Sequence, residues 1–342
     1  MGSPRVLVVG GGSIGGRHLR NLAATVPGDL GFAEPDAARR EALVRETGAR
    51  GFETLEAGLD WDPRLVVVAT PTHLHMSQAL AAARRGCDLF IEKPLSSSAE
   101  GLEELASEVA ARKLVTLVGC NMRFHPGPIR VRALIEEGRI GRVLSARLHA
   151  GAYLPEWHGG EDYRNSYSAR IESGGGCLLD FVHEIDLVRW YVGPVREVLC
   201  ATDHVSSLEI ETEDIAALIL RHESGALSEV HFDYLQRVYD RGCSIAGEEG
   251  SIFWDFRTGI VASFDARARA WTTTELDRGW QLNQMYADEL AHLLECVRDR
   301  RPTAQSVCDA VDVMRIVLAA RESSRLGRLM PVGAVRRETA LA

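Results

Sequence analysis

The sequence predicts a two-domain α/β protein. A doubly wound parallel sheet comes first, and a second α/β domain with a mostly antiparallel sheet follows. Three observations carry this prediction. An apolar, β-branched strand runs straight into a glycine-rich turn at residues 6–16. Strands and helices then alternate at βαβ spacing up to about residue 120. After Asn121 the strands lengthen and turn signals separate them. A chain of 342 residues is long enough for two cores, and the change of pattern puts the boundary between 1–122 and 123–342. The last helices are expected to pack back towards the first domain.

The first strand ends at Gly10, and Gly10, Gly12 and Gly15 keep the spacing G-x-G-x-x-G. In such a turn the first glycine permits the tight bend and the second admits a pyrophosphate close to the backbone. The third lets helix and strand pack closely. Ser13 and Ile14 open the helix that follows, over 13–24, and its N-terminus suits phosphate. A second strand, 29–34, ends in Glu34, 19 residues past Gly15. A carboxylate there accepts hydrogen bonds from ribose hydroxyls and repels a 2′-phosphate, so NAD is favoured over NADP. Arg39 and Arg40 are the groups that would meet such a phosphate. Asp36 N-caps a helix to residue 47, and Gly48 stops it.

Residues 65–69 are apolar on both faces, as in a buried parallel strand, and end at Thr70-Pro71. An alanine-rich helix carrying His73 and His75 runs to residue 85. Strand 88–91 ends in Glu92-Lys93-Pro94, helix 98–112 follows, and strand 114–119 leads to Asn121. Ligands on such sheets lie beyond the carboxyl ends of the strands, so Gly12, Glu34, Thr70, Lys93 and Asn121 share one rim. Pro71, His75 and Glu92 belong to the same expected cofactor site. Beyond Asn121, a linking helix spans 126–137, and strands are expected at 143–150, 195–205, 214–221, 226–234 and 241–246, with more to 264. A helix over about 175–191 interrupts them, and helices at about 286–299 and 306–324 close the chain.

Composition narrows the function. The net charge of −9 argues against a nucleic-acid binder that works by neutralising phosphates. The seven scattered cysteines form no C-x-x-C pair, which predicts a reduced, cytoplasmic protein without disulfides or structural zinc. No apolar run reaches the length of a membrane span, and the first strand begins too early for a signal peptide.

Three groups of residues suit chemistry. Lys93 places an ammonium on the cofactor rim, where it can hydrogen-bond a substrate oxygen and polarise it. Asp180, His183 and Asp186, spaced by three, share a face of one helix, and an imidazole beside a carboxylate is an acid/base group near neutral pH. The three-residue spacing with no fourth ligand argues against a metal. The segment 153–170 is a loop dense in aromatic and polar groups, among them Tyr153, Trp157, Tyr163, Tyr167, Arg164 and Arg170. Aromatic faces suit sugar C–H surfaces, and the two arginines are placed to clamp a carboxylate or phosphate.

These motifs in this order resemble the Gfo/Idh/MocA family of NAD(P)-dependent oxidoreductases. The resemblance rests on the glycine turn, Glu34-Pro35-Asp36, Thr70-Pro71 with His75, Glu92-Lys93-Pro94, Asn121-Met122-Arg123-Phe124 and residues 174–186. It implies a Rossmann domain, an open-faced second sheet, and homodimers or homotetramers built through that sheet. It also implies hydride transfer between nicotinamide and a hydroxyl or keto group of a sugar or cyclitol. Lys93 and His183 fall in the catalytic positions with Asp180 beside them, and Arg123 lies on the substrate side. The step from Asp180 to His183 is one residue shorter than in many members. Two alternatives stay open: a non-catalytic NAD- and sugar-binding regulator of the same fold, and an NAD-dependent glycoside-cleaving enzyme.

Overall fold

The computed structural model describes residues 4–26, 29–157, 162–277 and 279–333. The chain separates into two compact units. One runs to Asn121 and includes Gln281–Val311; the other comprises Met122–Trp280 and the residues from Asp312 onward.

The first unit is built on a parallel sheet. β1 (Val6–Val9) leads to α1 (Ser13–Thr25), then β2 (Leu30–Ala33) and α2 (Ala37–Thr47). The Asp36 side chain accepts the Arg39 N–H, and Gly48 takes the left-handed stop, as the sequence predicts. β3 (Arg50–Phe52) and α3 (Leu55–Asp60) come next, where no element was expected. Three residues are too few to show a period. The only local signal is Thr54, whose side chain caps α3 by accepting the Ala57 N–H. β4 (Leu65–Val68), α4 (Thr72–Arg84), β5 (Asp88–Glu92), α5 (Leu102–Arg112) and β6 (Thr116–Gly119) complete the alternation. β5 includes Glu92, one residue beyond expectation, and α5 begins at Leu102 rather than at 98. The strand order is β3-β2-β1-β4-β5-β6, all parallel. The order reverses between β1 and β4, which puts the ligand crevice beyond their carboxyl ends.

The second unit opens with α6 (Pro126–Glu136) and β7 (Val143–Gly151). The single helix expected over 175–191 is instead two: α7 (Cys177–Asp180) and α8 (Val182–Val192). Phe181 leaves helical geometry at φ −94°, ψ 27°, and its ring joins Trp157, Phe232 and Tyr234. Asp180 closes the first of these helices, and His183 and Asp186 lie on the second. β8 (Val195–Asp203), β9 (Ile215–His222), β10 (Leu227–Asp233), β11 (Asp240–Gly247), β12 (Gly250–Asp255), β13 (Ile260–Asp265) and β14 (Ala270–Glu275) follow. α9 (Asn283–Asp299), α10 (Val307–Leu326) and the two-residue β15 (Met330–Pro331) end the described chain. α9 sends Leu290, Leu293, Cys296 and Val297 into the first unit's core, beside Val6, Leu19, Val67 and Phe90.

The second sheet runs β14-β13-β12-β11-β7-β10-β9-β8-β15. Its pairs are antiparallel except β7 with β10. α8 packs against β7 and β10, and α6 against β12 and β13. The opposite face is open. One cross-strand row on it reads Leu199, Ile219, Glu229, Arg147, Ser244, Phe253. Among the described residues, no helix is long and apolar enough to cross a membrane.

Candidate active site

In the first unit the glycine turn has the geometry that its spacing demands. Gly10 sits at φ +96°, a conformation that a side chain would strain. A Cβ on Gly15 would stand 2.0 Å from the Gly10 carbonyl oxygen, so α1 can lie this close to β1 only with glycine there. Gly12 is the N-cap of α1 and supplies no side-chain cap, and among the described residues nothing lies within 4 Å of where its Cβ would be. The first-turn residues Ser13 and Ile14 thus follow an uncapped helix start with open space above it. That suits a pyrophosphate. Glu34, buried at the end of β2, accepts the Gly11 N–H at 2.8 Å and the Asp36 N–H at 2.9 Å. Arg40 donates to the carbonyl oxygens of Glu34 and Pro35, at 2.6 and 3.2 Å. Arg39 lies 3.5 Å from the Glu34 carboxylate. A carboxylate held against the turn fits NAD.

The neighbouring strand ends are braced to one another. The Thr70 hydroxyl donates to Gln78 Oε1 at 2.6 Å, and Pro71 precedes α4. His75 is buried, with Nδ1 2.9 Å from the Pro94 carbonyl oxygen and Nε2 2.8 Å from that of Thr70. Burial pulls its pKa down more than the two carbonyls lift it. Both ring nitrogens are engaged by protein, so His75 ties the end of β4 to the end of β5. The Lys93–Pro94 peptide is cis. The Glu92 carboxylate accepts the Lys93 backbone N–H at 3.1 Å and meets His18 Nε2 at 2.5 Å. Asn121 follows β6, is buried, and lies beside Tyr286 of α9.

In the second unit, the α7–α8 corner holds Asp180 and His183. Asp180 Oδ2 accepts the Tyr234 hydroxyl at 2.6 Å. Tyr234 is fully buried, and burial together with the Asp180 charge pushes its pKa well above the phenol range. His183 is buried in the first turn of α8. Two ion pairs pin that helix. Arg123 donates to both oxygens of Asp186 through Nε and Nη2, each at 2.7 Å. Arg241 of β11 meets Glu184 with Nε to Oε1 at 2.9 Å and Nη2 to Oε2 at 3.3 Å. Asp186 is thereby a partner of Arg123, and Arg123 carries a structural task beyond the substrate role expected of it.

The aromatic loop is likewise tied down. The Arg237 guanidinium stacks 3.6 Å from the centre of the Tyr153 ring, and Trp157 packs edge-on against Phe181 and Tyr234. The Tyr163 hydroxyl accepts the Glu209 N–H at 3.3 Å, and Tyr167 is exposed. Arg164 bonds Asp162 and Glu209, both at 2.8 Å, and Arg170 bonds Glu211 at 2.8 Å. Both guanidiniums expected to clamp an anion face carboxylates of the protein. His158, Gly159, Gly160 and Glu161 of this loop lie outside the described residues.

Sequence reasoning missed four participants: His18, Glu184, Tyr234 and Arg241. His18 stands in the glycine stretch itself, three residues past Gly15. Tyr234 and Arg241 have no local signal, because their partners are 54 and 57 residues away.

A parallel sheet of this order, a three-glycine turn and a carboxylate closing β2 define a dinucleotide-binding protein of the Rossmann class. Residues 4–120 match a model described as the oxidoreductase family, NAD-binding Rossmann fold, and residues 129–253 match the GFO/IDH/MocA C-terminal domain. The chain is similar to a scyllo-inositol 2-dehydrogenase (NAD(+)) of Bacillus subtilis, 28% identical over 96% of this chain and 95% of the relative. It is 32% identical to inositol 2-dehydrogenase 2 of Saccharopolyspora erythraea, over 72% of this chain and 71% of that one. A levoglucosan dehydrogenase solved with NADH shares the fold, with a TM-score of 0.87 at 23% identity over 96% of this chain and 99% of the other. This chain belongs to the Gfo/Idh/MocA family of NAD(P)-dependent oxidoreductases, and its cofactor is NAD.

Proposed function

We propose that the protein transfers hydride between NAD and one carbon of a neutral sugar or cyclitol. Lys93 and His183 serve the reacting oxygen. The observation that carries this reading is the place of Lys93. It stands at the carboxyl end of β5, on the rim that also holds the glycine turn after β1 and Glu34 after β2. NAD bound on that rim supplies the hydride acceptor, or in reduced form the donor. The Lys93 ammonium hydrogen-bonds the substrate oxygen and offsets charge that builds on it. His183 takes the hydroxyl proton in oxidation and returns it in reduction. Asp180, itself held by the Tyr234 hydroxyl, keeps a carboxylate beside that exchange. A neutral substrate is supported by the pairing of Arg164, Arg170 and Arg123 with carboxylates, which leaves their charge balanced.

The open face of the second sheet supports a homo-oligomer. Leu199, Ile219 and Phe253 are each about 40% exposed on one row, with the Arg147–Glu229 pair at its middle. A self-complementary face of this kind suits a two-fold dimer or a tetramer built from such dimers. Seven free thiols, six of them buried, suit the reducing cytoplasm.

The test is turnover of NAD with a panel of inositols and anhydrosugars, alongside the Lys93→Met and His183→Asn variants. Both variants should keep NADH affinity and lose about a hundred- to ten-thousand-fold in kcat. Full turnover by Lys93→Met would refute the assignment. Release of an aglycone without net NADH would select the glycoside-cleaving alternative. Binding of NAD and sugar with no turnover across the panel would select the regulator.

A further inference from the structure

We infer that His18, on the dinucleotide-binding helix, is a positioning residue for Lys93 and acts through Glu92. This rests on the reading that Lys93 serves the reacting oxygen. His18 is completely buried in α1, its ring edge-on to Phe90 with centroids 4.9 Å apart and to Tyr286 at 6.2 Å. Its Nε2 lies 2.5 Å from Glu92 Oε1. The other carboxylate oxygen accepts the Lys93 backbone N–H at 3.1 Å. One carboxylate thus bridges the cofactor helix and the backbone of the lysine that follows it. The helix and the end of β5 are 74 residues apart in sequence, and this bond links them.

The imidazole's other nitrogen shows why the arrangement is more than packing. His18 Nδ1 is buried and has no hydrogen-bond partner among the described residues. A buried polar atom without a partner costs stability, so an apolar side chain would serve α1 better if filling space were the task. The imidazole's gain is the bond to Glu92. Without that donor, the carboxylate is free to rotate off the Lys93 amide, and the ammonium loses its fixed starting point. Small errors in the placement of a reacting group are costly in rate and cheap in binding.

The chain has two lysines, Lys93 and Lys113, so a protein labelled with carbon-13 lysine gives two side-chain signals, assigned with Lys113→Arg. His18→Ala should shift or broaden the Lys93 signal, leave NADH affinity within about twofold, and lower kcat by about ten- to a hundredfold. His18→Gln presents an N–H near the position of Nε2 and should restore most of the rate. His18→Asn, whose amide falls near Nδ1, should not. Glu92→Gln reaches the same link from the other side, and should perturb the Lys93 signal in the same way if His18→Ala does not fold. An unchanged Lys93 signal and full kcat in folded His18→Ala or Glu92→Gln, with Lys93→Met inactive, overturns the inference alone. Full activity of Lys93→Met overturns the underlying reading instead.

Discussion

Replacement of Arg123 by methionine tests what holds His183 in place. The Arg123–Asp186 pair is buried on both sides, with side-chain exposures of 6% and 1%. Both of its bonds are 2.7 Å and form a fork-to-fork contact. Arg123 also lies 5.2 Å from the centre of the Trp190 ring, on the same helix as Asp186. Arg123→Met keeps the bulk of the side chain and strands the carboxylate of Asp186 in the interior. Stranding one member of such a pair costs about 3–5 kcal/mol. That is a large share of the roughly 5–15 kcal/mol that holds a typical domain together. Replacing both members with apolar groups of similar volume removes the stranded charge, so Arg123→Met/Asp186→Leu should be more stable than Arg123→Met. The assay is urea unfolding combined with hydrogen exchange of the Val182–Val192 helix, which separates this helix from the rest of a two-unit chain. A loss below about 1 kcal/mol in Arg123→Met, the level of a surface pair, would refute the reasoning. So would a double variant no more stable than the single one.

Three further outcomes follow from the geometry. Gly15→Ala puts a Cβ 2.0 Å from the Gly10 oxygen, so the turn must open; NADH affinity, read by fluorescence titration, should fall at least about tenfold. Glu34→Ala removes the carboxylate expected to distinguish the ribose, and the ratio of NAD to NADP affinity should fall by about tenfold or more. His125 caps α6 by accepting the Gly127 N–H at 3.1 Å and is buried against Trp254, Phe256 and Trp280. Burial, helped by the Arg241 charge, pushes its pKa down to about 4. The unfolded chain takes up this proton first, so stability is full above about pH 6.5 and is lost as pH falls towards 4. Between about pH 7 and about pH 5 the wild type should lose about 2 kcal/mol more than His125→Asn, whose amide oxygen still caps the helix. Equal losses in urea titrations of the two proteins would remove this account.

Much of the first unit is legible in the sequence because its signals are local. The strand–glycine–helix order, the acid after β2, the cap at Asp36 and the lysine after β5 depend on neighbours a few residues away. β3 and α3 escaped notice because both are too short for periodicity to show. The break at Phe181 escaped because the helical pattern of residues 175–191 continues through it, while the rings that Phe181 meets there, Trp157, Phe232 and Tyr234, come from distant parts of the chain. Arg164 and Arg170 read as free cations until Glu209 and Glu211 arrive beside them, more than 40 residues further on.

The sequence by itself determined the fold class and the cofactor, and it singled out the two groups proposed to meet the substrate oxygen. These follow from backbone sterics and residue chemistry, which act at short range along the chain. Only the tertiary structure decided who holds those groups: Tyr234 on Asp180, Arg123 on Asp186, Arg241 on Glu184 and His18 on Glu92. Hydrogen bonds and ion pairs act over about 3 Å of space, so their partners are chosen by how the sheets and helices fold back on one another.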